Sequence, residues 1–173
     1  MATVNLKSIS ELFGLSFWVP TYQRGYRWTI TQVQDLLEDL HEFSVSKPDD
    51  GDYYCLQPVI VKKRGNEWEL VDGQQRLTTV SLLFLAMYNL IEKKIVTAND
   101  QSLSRQLYED FLVDKYQPQE TRIKLKPVKN DSKAFGKLFD DSSEHVQNSN
   151  LTVNYNYFYD LKYKNTPNRD AAW

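Results

Sequence analysis

Glu69-Leu70-Val71-Asp72-Gly73-Gln74-Gln75-Arg76-Leu77-Thr78-Thr79 reads as a strand that enters a helix across a tight Asp-Gly turn. Glu67 to Val71 alternates polar and apolar residues, as a half-buried strand does; Asp72-Gly73 breaks that period, and a helical spacing of apolar residues begins at Gln74. Between Val80 and Ile91 the helix is apolar nearly all round, which places it at the centre of the fold. Upstream, Tyr53 to Lys63 ends in the β-branched run Val59-Ile60-Val61, and Arg64-Gly65-Asn66 supplies a turn, so the two strands are expected to form a β-hairpin. A small sheet containing this hairpin, packed on helices, makes the expected class α+β.

The turn is also where chemistry is expected. The first turn of a helix presents unpaired backbone N–H groups and a positive dipole end, and Arg76 adds a planar fork suited to phosphate. Asp72 is placed to orient a water or hold a magnesium ion, while Gln74 and Gln75 can donate or accept without adding charge. The same residues have ordinary structural uses: Asp as a helix cap, Gly as a turn residue, and Arg as the partner of a carboxylate. Neither GxxxxGK[ST] nor GxGxxG occurs, so the two commonest phosphate-loop patterns are excluded.

Outward from this centre, Ser8 with Glu11 forms a capping box that opens a short helix ended by Gly14. Phe17 to Trp28, with Pro20 and Gly25 as breakers, is expected to be an extended, packed loop, too polar for a core strand. Within it Tyr22-Gln23-Arg24 offers a ring that could stack on a base and a guanidinium for phosphate or a carboxylate. Thr29 with Gln32 opens an amphipathic helix carrying Val33, Leu36, Leu37, Leu40 and Phe43, and Ser44 to Asp52 is a surface loop. Asp100 is expected to cap a helix with Leu103, Leu107, Phe111 and Leu112 inward. Arg122 to Lys126 alternates basic and apolar residues as a strand with one basic face would, and Asn130 or Asp131 is expected to cap a helix holding Ala134, Phe135, Leu138 and Phe139. Leu151 to Tyr163 opens an aromatic helix.

The 173 residues, 41% hydrophobic and 25% charged, fit one globular domain over 1–173 and exclude a disordered chain or fibre. Too few apolar residues follow Tyr163 for another core element, so a fragment of a larger protein is expected. With 21 basic against 23 acidic residues, no polycationic field surrounds the domain, and any nucleic-acid contact has to be local. The run Val80 to Ile91 is about half the length of a bilayer span, so no membrane partner is expected. One cysteine, Cys55, excludes a disulfide framework and a cysteine-based zinc site, and with no secretory leader the cytoplasm is the expected compartment. Cys55 is read as a strand filler, His41 and His145 as surface residues, and no metal-ligand set is assigned.

Phe17-x-Val19-Pro20-x-Tyr22-Gln23-Arg24-x-Tyr26-x-Trp28, together with Val71-Asp72-Gly73-Gln74-Gln75-Arg76-Leu77-Thr78-Thr79, resembles the N-terminal, ParB-like domain of the GmrSD-type modification-dependent restriction family. Weaker similarity runs through Ile123-Lys124-Leu125, Asp131-Ser132-Lys133-Ala134-Phe135 and Asn154-Tyr155-Asn156-Tyr157-Phe158. The resemblance implies a ParB/sulfiredoxin-like fold whose DGQQR segment binds and hydrolyses a nucleoside triphosphate with Mg2+, in defence against foreign or modified DNA. Carried over by position, Asp72, Gln75 and Arg76 take the catalytic roles, with the water assigned to Asp72 or Gln75. Tyr22, Gln23, Arg24, Gly73, Gln74 and Thr78 take the nucleotide-binding roles. The implied partners are the triphosphate, modified DNA, an HNH-type nuclease domain or subunit that this chain does not contain, and a second copy in a homodimer. Leu56-Gln57-Pro58 departs from the family, whose members have a small Gly-containing turn there. The competing expectation is a non-catalytic DNA-binding or protein-docking module that uses Arg122, Lys124 and Lys126 with Lys62, Lys63 and Arg64 as a basic face.

Overall fold

The structure is a computed structural model and describes residues 4–164. Four strands form one mixed sheet in the order β2-β3-β1-β4, where β1 is Phe17–Trp18, β2 Ile60–Arg64, β3 Glu67–Asp72 and β4 Leu125–Lys126. The expected hairpin is present: β2 and β3 are antiparallel and joined through Gly65, whose φ of +62° suits a residue without Cβ. Its first strand is shorter than expected, because 53–59 is irregular chain and only Ile60 onward pairs.

Phe17-Trp18 corrects the expectation of a loop. The pair is the middle strand, parallel to β3 on one side and to β4 on the other. The Phe17 amide donates to the Lys124 carbonyl at 2.8 Å and the Trp68 amide to the Ser16 carbonyl at 2.9 Å, so this buried backbone is satisfied on both sides. A two-residue strand has no period to read, and only its neighbours in space define it.

Helix α1, Ile9–Phe13, carries the expected capping box: the Glu11 amide donates to Ser8 Oγ and the Ser8 amide to Glu11 Oε2. Helix α2, Ile30–Val45, begins where Gln32 Oε1 accepts from the Thr29 amide, and it buries Val33 and Leu36. Helix α3, Gln74–Glu92, leaves β3 directly and buries residues on all sides, including Leu77, Leu82, Leu85 and Ala86. Two buried hydroxyls of that helix donate to the carbonyl one turn back: Thr79 to Gln75 and Ser81 to Leu77.

After α3, a short helix α4, Leu103–Arg105, widens into a π-helical stretch, Gln106–Leu112, with Leu107 and Leu112 inward. Asp100 does not cap it as a helix residue; its carboxylate accepts from the amide and hydroxyl of Ser102 in the preceding turn. Of the expected strand Arg122 to Lys126 only Leu125–Lys126 pairs in the sheet, with Ile123 bridging Val113. Lys124 reaches back to the carbonyls of Asp110 and Phe13 at 2.5 and 3.2 Å, and burial pulls its ammonium pKa below the usual lysine value.

Helix α5, Lys129–Lys137, starts before Asn130 and Asp131, so neither is its cap. Helix α6, Asn150–Lys164, places Leu151, Tyr155 and Phe158 in the common core, and Tyr155 accepts a hydrogen bond from Asn89 of α3 at 2.8 Å. Two further expectations are corrected here. Cys55 is exposed in irregular chain, and His145 is half-buried with its ring edge-on to Tyr155 at 5.4 Å, where desolvation lowers the imidazole pKa.

Candidate anion-binding cleft

The chain after β1 runs from Val19 to Thr29 without regular structure and lies against the β3–α3 turn. Glutamine side chains hold the two segments together. Gln23 Nε2 donates to the Val71 carbonyl at 2.7 Å, and Gln74 Nε2 donates to the Arg24 carbonyl at 3.0 Å. Gln75 is the tightest clamp: Nε2 donates to the Gly25 carbonyl at 3.1 Å, while Oε1 accepts from the amides of Arg27 and Trp28 at 2.7 and 3.3 Å. Segments about fifty positions apart thus form one hydrogen-bonded body. Below them, Tyr26 is buried, and its amide donates to Asp131 Oδ2 at 2.5 Å.

The turn itself requires glycine. Gly73 has φ +89°, and a Cβ there would lie 3.0 Å from Val59 Cγ2 and 3.2 Å from Val59 Cα. Asp72 Oδ1 accepts from the Gly73 amide at 2.7 Å, and the first intrahelical bond is from Leu77 N to the Gly73 carbonyl at 3.0 Å. The amides of Gln74, Gln75 and Arg76 therefore have no intrahelical acceptor and form the positive end of a 19-residue helix.

Between the two segments lies a cleft of about 370 Å³, lined by Gln23, Arg24, Arg27, Trp28, Asp72, Gly73, Gln74, Gln75 and Arg76. Three guanidinium groups face one carboxylate across this space, although the chain as a whole carries a formal charge of −2. Among the described residues, the side chains of Arg24 and Arg27 have no hydrogen-bond or ion-pair partner, and both are exposed. Arg76 is anchored: Nη1 donates to Gln57 Oε1 at 2.9 Å and Nη2 to the Pro58 carbonyl at 2.8 Å, with its buried Nε unpartnered. Both acceptors are neutral, so Arg76 keeps its full charge beside the cleft.

Of the nine residues expected at the site, seven line the cleft. Tyr22 and Thr78 do not. Tyr22 is 71% exposed and turns away from the cleft, donating to Glu69 Oε1 at 2.8 Å; Thr78 is buried one turn into α3. Gln75 lines the cleft, but its oxygen already holds two amides, so it clamps the loop. Arg27 and Trp28 complete the wall without having been singled out. Their signal in the sequence was the continuation of the Tyr22-Gln23-Arg24 segment to Tyr26-Arg27-Trp28.

Glu69 was also missed. This shielded carboxylate accepts from Arg64 Nε at 2.9 Å and from Tyr22, and these two bonds, the arginine's first, hold its pKa below the usual carboxylate value. The basic face expected along 122–126 and 62–64 is largely engaged within the protein. Arg122 donates to Tyr108 Oη at 2.8 Å, Lys126 pairs with Glu67, Arg64 pairs with Glu69, and Lys63 sits over the Trp68 ring.

In this α+β domain three guanidinium groups and the N-terminus of α3 surround one cleft, the donor types that anion sites use. Residues 6–171 match the family of the GmrSD restriction endonuclease N-terminal domain, and the chain belongs to that family, which makes it part of a restriction and defence protein. No curated protein matches the chain.

Proposed function

We propose that the cleft binds a nucleoside triphosphate and hydrolyses it, as the regulatory domain of a modification-dependent DNA restriction protein. The observation that carries this reading is the placement of Arg24 and Arg27, whose side chains have no partner among the described residues, beside the first amides of α3, a donor set matched to phosphate oxygens. Phosphoryl transfer asks a protein mainly to position groups and to neutralise developing charge, and Arg24, Arg27 and Arg76 supply that charge. Asp72 is the carboxylate on the cleft wall and takes the role of orienting the attacking water.

The donor set also fits magnesium, which takes one or two protein carboxylates and completes its shell with phosphate and water. Asp72 would hold it, and the ion would offset phosphate charge. Among the described residues, no cluster of three or more His, Cys, Asp or Glu could hold a metal without such help. The reading extends to a ParB/sulfiredoxin-like ancestry for the sheet, a cytoplasmic setting, modified DNA as the signal, an HNH-type nuclease as the effector and a homodimer as the working form.

Isothermal titration of the chain with each of the four ribonucleoside triphosphates and Mg2+ tests the proposal. Saturable binding is expected, and Arg24→Ala and Arg27→Ala each weaken it about tenfold or more, the worth of one charge-assisted hydrogen bond. A folded parent that binds none of the four, or variants that bind as the parent does, would refute it. Arg76→Ala is the poorer test because that side chain also anchors 57–58.

A further inference from the structure

Asn154 lies in the middle of α6, fully buried, and both hydrogens of its Nδ2 are spent on the cleft loop: one on Tyr26 Oη and one on the Trp28 carbonyl, each at 2.9 Å. A carbonyl can only accept, so the amide's orientation is fixed, and Oδ1 is left buried without a donor among the described residues. The chain of bonds beyond it has one direction. Thr79 Oγ1 donates to the Gln75 carbonyl at 2.8 Å, so at its 2.7 Å contact with Tyr26 it must accept, and Tyr26 must donate. Tyr26 in turn accepts from Asn154. The relay therefore runs from Asn154 through Tyr26 and Thr79 to the backbone of Gln75, the residue whose side chain clamps Gly25, Arg27 and Trp28.

We infer that Asn154 is a positioning residue for the triphosphate cleft: from α6 it fixes the backbone of Arg27 and Trp28 and orients the hydroxyl relay that seats the loop on α3. The assignment rests on the triphosphate reading for its functional consequence, while its structural half stands without it. An apolar side chain of similar size would fill the same space without stranding Oδ1, so packing alone does not account for an amide here. Ligand occupancy of the cleft and the seating of α6 are thereby linked, each favouring the other. Asp in place of Asn keeps the shape and removes both donors, setting a carboxylate against the Trp28 carbonyl.

Three proteins decide it: the parent, Asn154→Asp, and Leu151→Ala as a control that opens a cavity under the same helix without touching the relay. Amide hydrogen exchange without ligand is expected to rise about tenfold at Arg27 and Trp28 in Asn154→Asp, and Leu151→Ala to raise exchange in α6 while leaving those two amides near the parent. Titration with the triphosphates and Mg2+ is expected to show about tenfold weaker binding for Asn154→Asp and a change within about twofold for Leu151→Ala. Where Asn154→Asp does not fold, Tyr26→Phe interrupts the relay within the loop and is expected to raise the same two exchange rates. Unchanged exchange at Arg27 and Trp28 in Asn154→Asp, or in Tyr26→Phe if that variant has to stand in, overturns the inference, as does an equal effect of Leu151→Ala on binding. A parent that binds no triphosphate refutes the triphosphate reading alone, since the exchange arm still decides the role of Asn154.

Discussion

Gly25 is required by a neighbour. Its φ lies outside the left-handed region, but a Cβ there would sit 2.6 Å from Asp131 Oδ2 and 3.1 Å from Asp131 Cγ and Oδ1. That same Oδ2 accepts the Tyr26 amide at 2.5 Å. Gly25→Ala should therefore push the carboxylate off the amide and cost one charge-assisted hydrogen bond, about 1.5–3 kcal/mol, or a melting-temperature drop of roughly 4–10 °C for a chain of this size. Asp131→Ala removes the same bond from the other side and should cost about as much. In the double variant the new methyl group meets no carboxylate, and an Ala for Gly exchange at a compatible φ is worth about 0.4–1 kcal/mol in favour of folding. The double variant is then no less stable than Asp131→Ala alone, a coupling of about 2 kcal/mol. Urea unfolding of the four proteins measures it, and costs that add within about 0.5 kcal/mol would refute the shared-bond account.

Gln57 offers a second test: its φ of +69° is one that a side chain rarely adopts, and its Oε1 accepts from Arg76. Gln57→Gly relieves about 1 kcal/mol of backbone strain that Gln57→Ala retains, and both lose the same acceptor, so thermal melts should place the glycine variant roughly 2–4 °C above the alanine variant. The reverse order would remove the strain argument. For Glu69, whose folded pKa lies below its ordinary value of 4.5, stability is present above that value and is lost as pH falls through the folded pKa. Unfolding free energy measured against pH should therefore fall less steeply below about pH 4.5 in Glu69→Gln than in the parent; parallel curves would show that Glu69 is not the linked group.

Elements with many turns or a sharp cap were legible in the sequence. Helix α3, the hairpin and both capping boxes are local patterns, decided by period and by residues three positions apart. What was not legible is set by contacts distant in the chain. Phe17-Trp18 is a strand because Trp68 and Leu125 flank it, and Asp131 is an acceptor for Tyr26 instead of a helix cap because the loop passes over α5. The site divides in the same way. Its residue types could be read from two short motifs, but side-chain direction in a loop without period could not, which is why Tyr22 turns to Glu69 and Arg27 joins the wall. Thr78 fails for a related reason: one turn into α3, its side of the helix is covered by protein.

The division of labour between amides and guanidinium groups explains why the two motifs belong together. Gln23, Gln74 and Gln75 spend their side chains on backbone groups or on one another, joining the segments without adding charge that would compete for an anion. The arginines then differ by what they touch. Among the described residues Arg24 and Arg27 have no side-chain partner and are exposed, whereas Arg76 is fixed by Gln57 and Pro58 and lends charge from a set position. The glutamines thus position the arginines through the backbone, Gln74 holding the Arg24 carbonyl and Gln75 the Arg27 amide, so loss of either one displaces the arginine whose backbone it holds. Substitution of Gln75 should on this account disturb Arg27 first, through the amide that Oε1 holds at 2.7 Å, and leave the Arg76 anchor intact.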